Sequence, residues 1–211
     1  MFPQGYFRQR ISRDGWQEEI YRELDLNEVP VTQVLSRLGG RALTQVPLGD
    51  RSVFVAAWRV RVGRVSVYLL DTSVEENTVQ DQKLSSRLYI DDQEMRLQQE
   101  MILGIGGVRV LRELGIQPAV WHANEGHTAF MMLERIREEL ERGTTFDDAL
   151  RRVRASTVFT THTPMRAAQD IFPAELMMKY FEPYCQCPGL EQERLFQLGH
   201  EESNQGKAFN T

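Results

Sequence analysis

Apolar and β-branched residues gather in two short runs within the first third of the chain. These runs, residues 53–58 and 65–70, are typical of β-strands, and the polar Asp71 follows the second. Residues 1–50 contain turns marked by glycine and proline, so they predict irregular structure. Residues 73–84 are polar and predict a loop.

Helical spacing of apolar residues replaces this pattern over residues 93–114. Gly104, Gly106 and Gly107 interrupt it, and glycine weakens a helix. Their close spacing predicts tight packing, a helix break or a backbone approach to a ligand. Gly115 then stands where a helix C-terminus favours a residue in the left-handed conformation.

Strands and helices alternate in the sequence pattern that follows. Residues 117–122 and 158–162 are predicted strands. Between them lie an amphipathic helix over about 129–141 and a second helix that begins at Thr144 or Thr145. This order favours an α/β fold with parallel strands.

The chain divides into three predicted parts on these patterns. Residues 1–92 form an irregular and β-rich part, and residues 93–179 form an α/β, Rossmann-like part. Residues 180–211 are rich in proline, glutamine and glutamate, and they predict an incomplete extension without a convincing packed element.

Composition and charge exclude several classes of protein. A charged fraction of 26% and a hydrophobic fraction of 41% fit a folded, soluble domain. The net charge of -5 gives no electrostatic support for binding nucleic acid. We expect no membrane helix, since no apolar run reaches the required length. The first residues do not resemble a signal peptide, so a cytoplasmic location is expected.

Cysteine and lysine are both scarce. Cys185 and Cys187 are too close and too few for a disulfide framework, and they are interpreted as reduced thiols rather than metal ligands. Lysine occurs only at Lys83, Lys179 and Lys207. Any chemistry that needs a reactive lysine is therefore limited to three positions.

Candidate site residues follow directly after the two predicted strands of the α/β part. Open α/β sheets bind ligands at the edge where their strands end. Asn124, Glu125 and His127 follow the first strand, and His162 ends the second. Their amide, carboxylate and imidazole groups supply both donors and acceptors for sugar hydroxyls.

Each of these assignments has a structural alternative. Asn124 could simply cap the following helix. Glu125 and His127 could be an exposed acid of the first turn and a packed histidine, and His162 could be structural. The spacing of His122 and His127 differs from that of zinc proteases, and no phosphate-binding loop or nucleophile elbow is present.

Several segments, taken in order, resemble the bacterial-type α-glucan (glycogen/maltodextrin) phosphorylases. The sharpest are Asn-Glu-Gly-His-Thr-Ala-Phe at 124–130 and Phe-Thr-Thr-His-Thr-Pro at 159–164. The other similar segments are residues 5–9, 14–17, 68–72, 76–77, 87–89, 96–100 and 103–107. Their common order and spacing identify the chain as an internal fragment of the N-terminal half of such an enzyme.

The resemblance implies a glycosyltransferase-B architecture of two Rossmann-like halves with the active site between them. It implies reversible phosphorolysis, in which phosphate releases glucose 1-phosphate from an α-1,4-glucan. It also implies pyridoxal phosphate as the cofactor, held on a lysine of the other half. None of the three lysines here lies in a context similar to that lysine, so the cofactor lysine is expected to be absent from this chain.

Roles for individual residues follow from the same resemblance. His162 matches the catalytic-site histidine that contacts the reacting glucosyl unit. Glu125 and His127 match groups on the acceptor side of the cleft, and Asn124 belongs to the same substrate-binding motif. Arg96 matches a residue near the gate over the site, together with residues 90–92.

Departures from the family pattern limit this transfer of roles. Residues 165–170 replace a stretch that usually contains a glycine and a histidine, and Ile90 and Asp91 replace glycines of the gate. We therefore expect the chain alone to be inactive. The alternative is a non-catalytic carbohydrate-binding or regulatory remnant. A nucleotide-sugar transferase of the same architecture has weaker support, and the oligomeric state stays open.

Overall fold

A computed structural model describes residues 8–21, 25–37, 39–87, 92–162, 170–199 and 208–211. The strands are β1 (Arg8–Ile11), β2 (Gln17–Ile20), β3 (Thr32–Gln33), β4 (Leu43–Leu48), β5 (Arg51–Val62), β6 (Val65–Asp71), β7 (Trp121–Asn124), β8 (Thr157–Thr160), β9 (Ile171–Pro173) and β10 (Ala208–Asn210). The helices are α1 (Val79–Gln82), α2 (Gln93–Met101), α3 (Gly107–Glu113), α4 (Phe130–Glu141), α5 (Phe146–Ala155), α6 (Ala174–Cys185) and α7 (Gln192–Leu198).

The long strand β5 organises an antiparallel sheet. It pairs with β4 and β3 along one side and with β6 along the other. Alternate residues such as Val53 and Val55 are fully buried, because one face of the strand covers the core. The two predicted strands are confirmed as β5 and β6. The prediction for residues 1–50 was wrong in part, since β1 to β4 lie there.

The predicted helix over 93–114 is confirmed, with a change of geometry at its glycines. It runs as α2, then a π-helical turn over Ile102–Gly106, then α3. A Cβ built on Gly104 would lie 2.7 Å from the backbone nitrogen of Met131, so the glycine permits close approach of α4. Of the three possibilities raised by the sequence, tight packing and a local irregularity of the helix are both present.

The parallel strand pair that the sequence predicted is present. Strand β7 pairs in parallel with β8, so that Asn124 lies opposite Thr160. Helices α4 and α5 form the connection between them. Thr145 caps α5, as its hydroxyl oxygen accepts a hydrogen bond from the backbone nitrogen of Asp148 at 3.3 Å. The protein is thus a mixed α/β fold with a parallel pair.

The prediction for residues 180–211 was wrong where it expected no packed element. Helix α6 continues to Cys185, α7 follows it, and β10 pairs with β9. Leu195 is fully buried, and the Phe209 ring stacks on Phe130 with their centroids 6.0 Å apart. These elements were not predicted, because only a few apolar residues within this mostly polar segment pack into the core. Residues 73–84 likewise contain the short helix α1 within their predicted loop.

One hydrophobic core joins the sheet to the helices. It contains Val55 of β5, Ile105 of the π-helical turn, Phe130 of α4 and Phe181 of α6. Strand β8, by contrast, leaves half of the Phe159 side chain exposed. Within the described ranges, no helix combines the length and the apolar character needed to cross a bilayer.

Candidate functional site

The ends of β7 and β8 place the predicted site residues together. Because the two strands are parallel and in register, Asn124 and Thr160 lie side by side and the chain leaves both strands at the same edge. A hydrogen bond of 2.9 Å joins Nε2 of His162 to the Oδ1 atom of Asn124. The sequence prediction that these two segments meet at neighbouring strand ends is confirmed.

This bond settles how Asn124 and His162 present their polar atoms. An amide oxygen only accepts, so Nε2 of His162 must carry the hydrogen. In the neutral ring, Nδ1 is then an acceptor. Asn124 does not cap a helix, because its side-chain oxygen is used by His162, and the turn over Gly126–Thr128 has no side-chain cap.

Glu125 connects the two strand ends through both its backbone and its carboxylate. Its backbone nitrogen donates to the carbonyl oxygen of Thr160 at 2.9 Å. Its carboxylate accepts hydrogen bonds from the backbone nitrogen of His162 and from the hydroxyl of Thr161, the latter at 3.2 Å. Glu125 therefore fixes the segment that carries His162.

The backbone of Glu125 is strained. Its φ of 60° and ψ of 176° lie in a region that is almost exclusive to glycine, and no other described residue except glycine has a positive φ. Such a conformation costs about 1–3 kcal/mol and persists only when neighbouring contacts hold it. The strain lies within the predicted site, which is where such conformations usually occur.

A pair of substitutions measures this strain. Both Glu125→Ala and Glu125→Gly remove the carboxylate, but only glycine relieves the backbone. We expect the glycine variant to be more stable than the alanine variant by roughly 1–2 kcal/mol, after the higher flexibility of glycine in the unfolded chain is subtracted. Urea unfolding of the two variants tests this, and equal stabilities would contradict the assigned strain.

His127 lies on the short turn that follows Glu125, with its side chain 39% exposed. A terminal nitrogen of Arg96 lies 2.9 Å from its Nδ1 atom. Arg96 also donates two hydrogen bonds to Oδ2 of Asp170, at 2.9 and 3.2 Å. The structure thus brings Arg96 to His127, 31 residues further along the chain.

Glu100 lies beneath this group, and 2% of its side chain is exposed. Burial, followed by the nearby Asp170 carboxyl, raises the pKa of Glu100 to about 9. Burial also tends to raise the pKa of Asp170, but Glu100 and Arg96 lower it below its ordinary value. Glu100 therefore carries a proton at neutral pH, and Asp170 carries the negative charge.

Ligand atoms of Glu100, His127 and Asp170 lie within 4.8 Å of one another, a spacing that could hold a metal ion. The Arg96 guanidinium, however, already contacts both His127 and Asp170. It supplies positive charge where an ion would have to sit. The group is better described as an ion-pair cluster in which the Arg96 guanidinium supplies the positive charge.

Glu100 and Asp170 were not predicted as site residues. Glu100 offered a signal, since it stands beside Met101 on the buried side of a predicted helix, where a carboxylate is rarely found. Asp170 offered no such signal, because its partner Arg96 lies 74 residues earlier and meets it only in the folded chain. Residues 90 and 91 of the predicted gate, and residues 165–169 of the altered loop, lie outside the described residues.

Two surface cavities lie elsewhere on the described part of the chain. One of about 420 Å³ is lined by residues of β4, α3 and α4, and one of about 180 Å³ lies near the start of β7 and the end of α5. Arginine and glutamate side chains dominate both linings, and several pair with each other, as Arg112 does with Glu138 at 2.8 Å. Neither cavity includes a predicted site residue.

Comparison with known proteins shows what the chain is similar to. No protein-family model matches it. It is 42% identical over 210 residues to a maltodextrin phosphorylase of Thermococcus litoralis, covering 100% of this chain. It is also 38% identical over 211 residues to a glycogen phosphorylase of Aquifex aeolicus, and 43% identical to one of Mycobacterium tuberculosis, covering 100% and 94% of this chain. The resemblance to the α-glucan phosphorylases is confirmed.

The chain spans only part of these phosphorylases. It covers 24% of the relatives from Thermococcus litoralis and Mycobacterium tuberculosis, and 30% of the relative from Aquifex aeolicus. The chain thus corresponds to about a quarter to a third of the length of such a phosphorylase. The activity, substrates and partners of the whole enzymes do not follow from this match.

Proposed function

We propose that this chain is the part of an α-1,4-glucan phosphorylase that holds a terminal glucan unit at the ends of β7 and β8. The main support is the set of hydrogen bonds that joins Asn124 and Glu125 to His162 across these parallel strand ends. The confirmed similarity to glycogen and maltodextrin phosphorylases supports the choice of ligand. In this proposal, α-1,4-glucan and phosphate are the substrates, and glucose 1-phosphate is the product.

The proposed roles of the site residues are binding and orientation. His162 contacts the reacting glucosyl unit, while Glu125 and His127 lie on the acceptor side. Sugar hydroxyls both donate and accept, so they match the amide, carboxylate and imidazole groups at this edge. Rigid support of His162 by Asn124 and Glu125 favours catalysis, because orientation of a bound substrate lowers the entropic part of the barrier.

Pyridoxal phosphate does not fit the described lysines. Lys179 is exposed and forms an ion pair with Glu94, and the hydrogen bond with that carboxylate raises the pKa of the lysine. A Schiff base requires a neutral amine, which this contact disfavours. Lys83 is exposed, and Lys207 lies outside the described residues. In this proposal, the chain belongs to a two-domain glycosyltransferase-B architecture, and neither of the described lysines holds the cofactor.

Calorimetric titration with maltoheptaose tests the binding role. We expect measurable binding by the purified chain and a loss of roughly tenfold in affinity in His162→Ala, since that ring makes a hydrogen bond to the sugar. His122→Ala, on the neighbouring strand β7 and outside the motif, is the matched control and should retain affinity. Absence of binding by the unsubstituted chain would refute the proposed glucan site.

A phosphorolysis assay tests whether the chain alone is inactive. We expect the purified chain to release no glucose 1-phosphate from maltoheptaose and phosphate, with or without added pyridoxal phosphate. Binding without turnover is equally the behaviour of a carbohydrate-binding remnant of the same fold. Release of glucose 1-phosphate would instead show that the chain is catalytically complete.

A further inference from the structure

The contact between Arg96 and His127 determines where the proton of the imidazole lies. A guanidinium has five N–H donors and no acceptor. One of its nitrogens lies 2.9 Å from Nδ1 of His127, so that ring nitrogen must accept the hydrogen bond. The neutral ring then carries its hydrogen on Nε2. Among the described residues, no hydrogen-bond partner occupies Nε2.

The neighbouring Asp170 carboxylate would favour the opposite arrangement. Oδ2 of Asp170 lies 3.8 Å from Nδ1 of His127, and Oε1 of Glu100 lies 4.0 Å from it. A carboxylate at this position attracts a proton onto Nδ1. Arg96 prevents this, because its guanidinium approaches more closely and supplies hydrogens to both His127 and Asp170.

Arg96 is itself held firmly enough to impose this choice. Its side chain is 16% exposed, and Asp170 receives two of its hydrogen bonds. Nε of Arg96 also lies 3.5 Å from Oε1 of Glu100, one helical turn along α2. The guanidinium is therefore fixed from both sides before any ligand arrives.

We propose that Arg96 is a positioning residue, which holds Nδ1 of His127 as an acceptor so that the ring presents the hydrogen on Nε2 and donates it to a glucan hydroxyl. This inference rests on the proposed function for the identity of the ligand. It gives Arg96 a role through His127 rather than through direct contact with the sugar. His162 offers the complement, since its hydrogen is used by Asn124 and its Nδ1 accepts.

Long-range proton–nitrogen NMR of the chain labelled with ¹⁵N-histidine tests this inference without any ligand. His127→Gln identifies the signal by its loss. In the unsubstituted chain we expect the form with hydrogen on Nε2 to exceed the other by roughly tenfold, given the usual strength of a hydrogen bond to a charged donor. A hydrogen found on Nδ1 would overturn the inference, whatever the variants do.

Variants then identify Arg96 as the cause. Arg96→Met should bring the two forms of His127 toward equal populations or move the hydrogen to Nδ1. Arg96→Lys, which also donates only, should restore the original form. Arg112→Met removes a similar arginine on α3 that pairs with Glu138, and it is the control for general loss of stability. An unchanged His127 signal in folded Arg96→Met would contradict the assigned role.

Glucan titration of the same variants keeps this inference separate from the proposed function. If the chain binds maltoheptaose, we expect Arg96→Met to weaken binding roughly two- to tenfold, through loss of one oriented hydrogen bond. Unaltered affinity in that variant would contradict a donor role for His127. If the unsubstituted chain binds no glucan, the proposed function fails, while the position of the hydrogen on His127 is still decided by NMR.

Discussion

Glu134→Ala should lower the free energy of unfolding by about 3–5 kcal/mol, since removing one partner of a buried ion pair leaves uncompensated charge. Glu134 is fully buried on α4. Its carboxylate accepts hydrogen bonds from Arg109 at 2.8 Å, from Arg137 at 2.9 Å and from the Tyr184 hydroxyl at 2.6 Å. The substitution leaves two guanidinium groups and a buried hydroxyl without their shared acceptor. Unfolding in guanidinium chloride measures the resulting loss of stability.

Glu141→Ala is the matched control for this prediction. Glu141 lies on the same helix and also pairs with Arg137, but its side chain is 59% exposed. Exposed pairs contribute about 0–1 kcal/mol, so this variant should unfold almost as the unsubstituted chain does. Equal losses in Glu134→Ala and Glu141→Ala would contradict the importance given to burial.

The contribution of Glu134 should also depend on pH. Burial tends to raise the pKa of Glu134, but hydrogen bonds from Arg137 and Arg109 outweigh burial and lower it. Because the folded-state pKa lies below the unfolded one, the stabilisation is present above about pH 4 and is lost as the pH falls through the folded value. The difference in unfolding free energy between the unsubstituted chain and Glu134→Gln should therefore become smaller as the pH falls below about 4.

Gly104→Ala should destabilise the protein by about 1–3 kcal/mol, the usual cost of overpacking a closely fitted interior. The added methyl group would lie 2.7 Å from the backbone nitrogen of Met131 and 2.9 Å from the carbonyl carbon of Phe130. Both are backbone atoms at the start of α4, so no side chain can rotate away. Thermal unfolding followed by circular dichroism measures the effect.

Gly107→Ala is expected to have the opposite sign. Gly107 begins α3 three residues later, and a Cβ there meets no atom within 4 Å. Alanine in a helix is favoured over glycine by about 0.5–1 kcal/mol, so the variant should be more stable. A loss in both variants would mean that helix geometry, rather than contact with α4, requires the glycines.

Local interactions explain which parts of the fold could be predicted from the sequence. The start of α5 at Thr144 or Thr145 could be predicted, because a cap requires only residues close to it in the chain. Helix α6 was harder to predict, since Pro183 lies inside it and proline normally interrupts a helix. Strand β10 depends on pairing with β9, more than thirty residues earlier, which no local pattern reveals.

The site was predictable only in its strand-end residues. Asn124 and His162 each follow a recognisable strand, and parallel pairing brings such residues together. The strained backbone of Glu125 left no trace in the sequence, because glutamate is unusual in that conformation. The link from Arg96 to Asp170 spans 74 residues, so it exists only in the folded chain.

The half-exposed Phe159 affects how this chain behaves at high concentration. Val158 beside it is also about half exposed, and both lie on β8, which pairs only with β7 among the described strands. A strand edge with exposed apolar residues is a template for contact with another chain. Preparations of the isolated chain should therefore be colloidally unstable, with attractive interactions that light scattering detects before any precipitate forms.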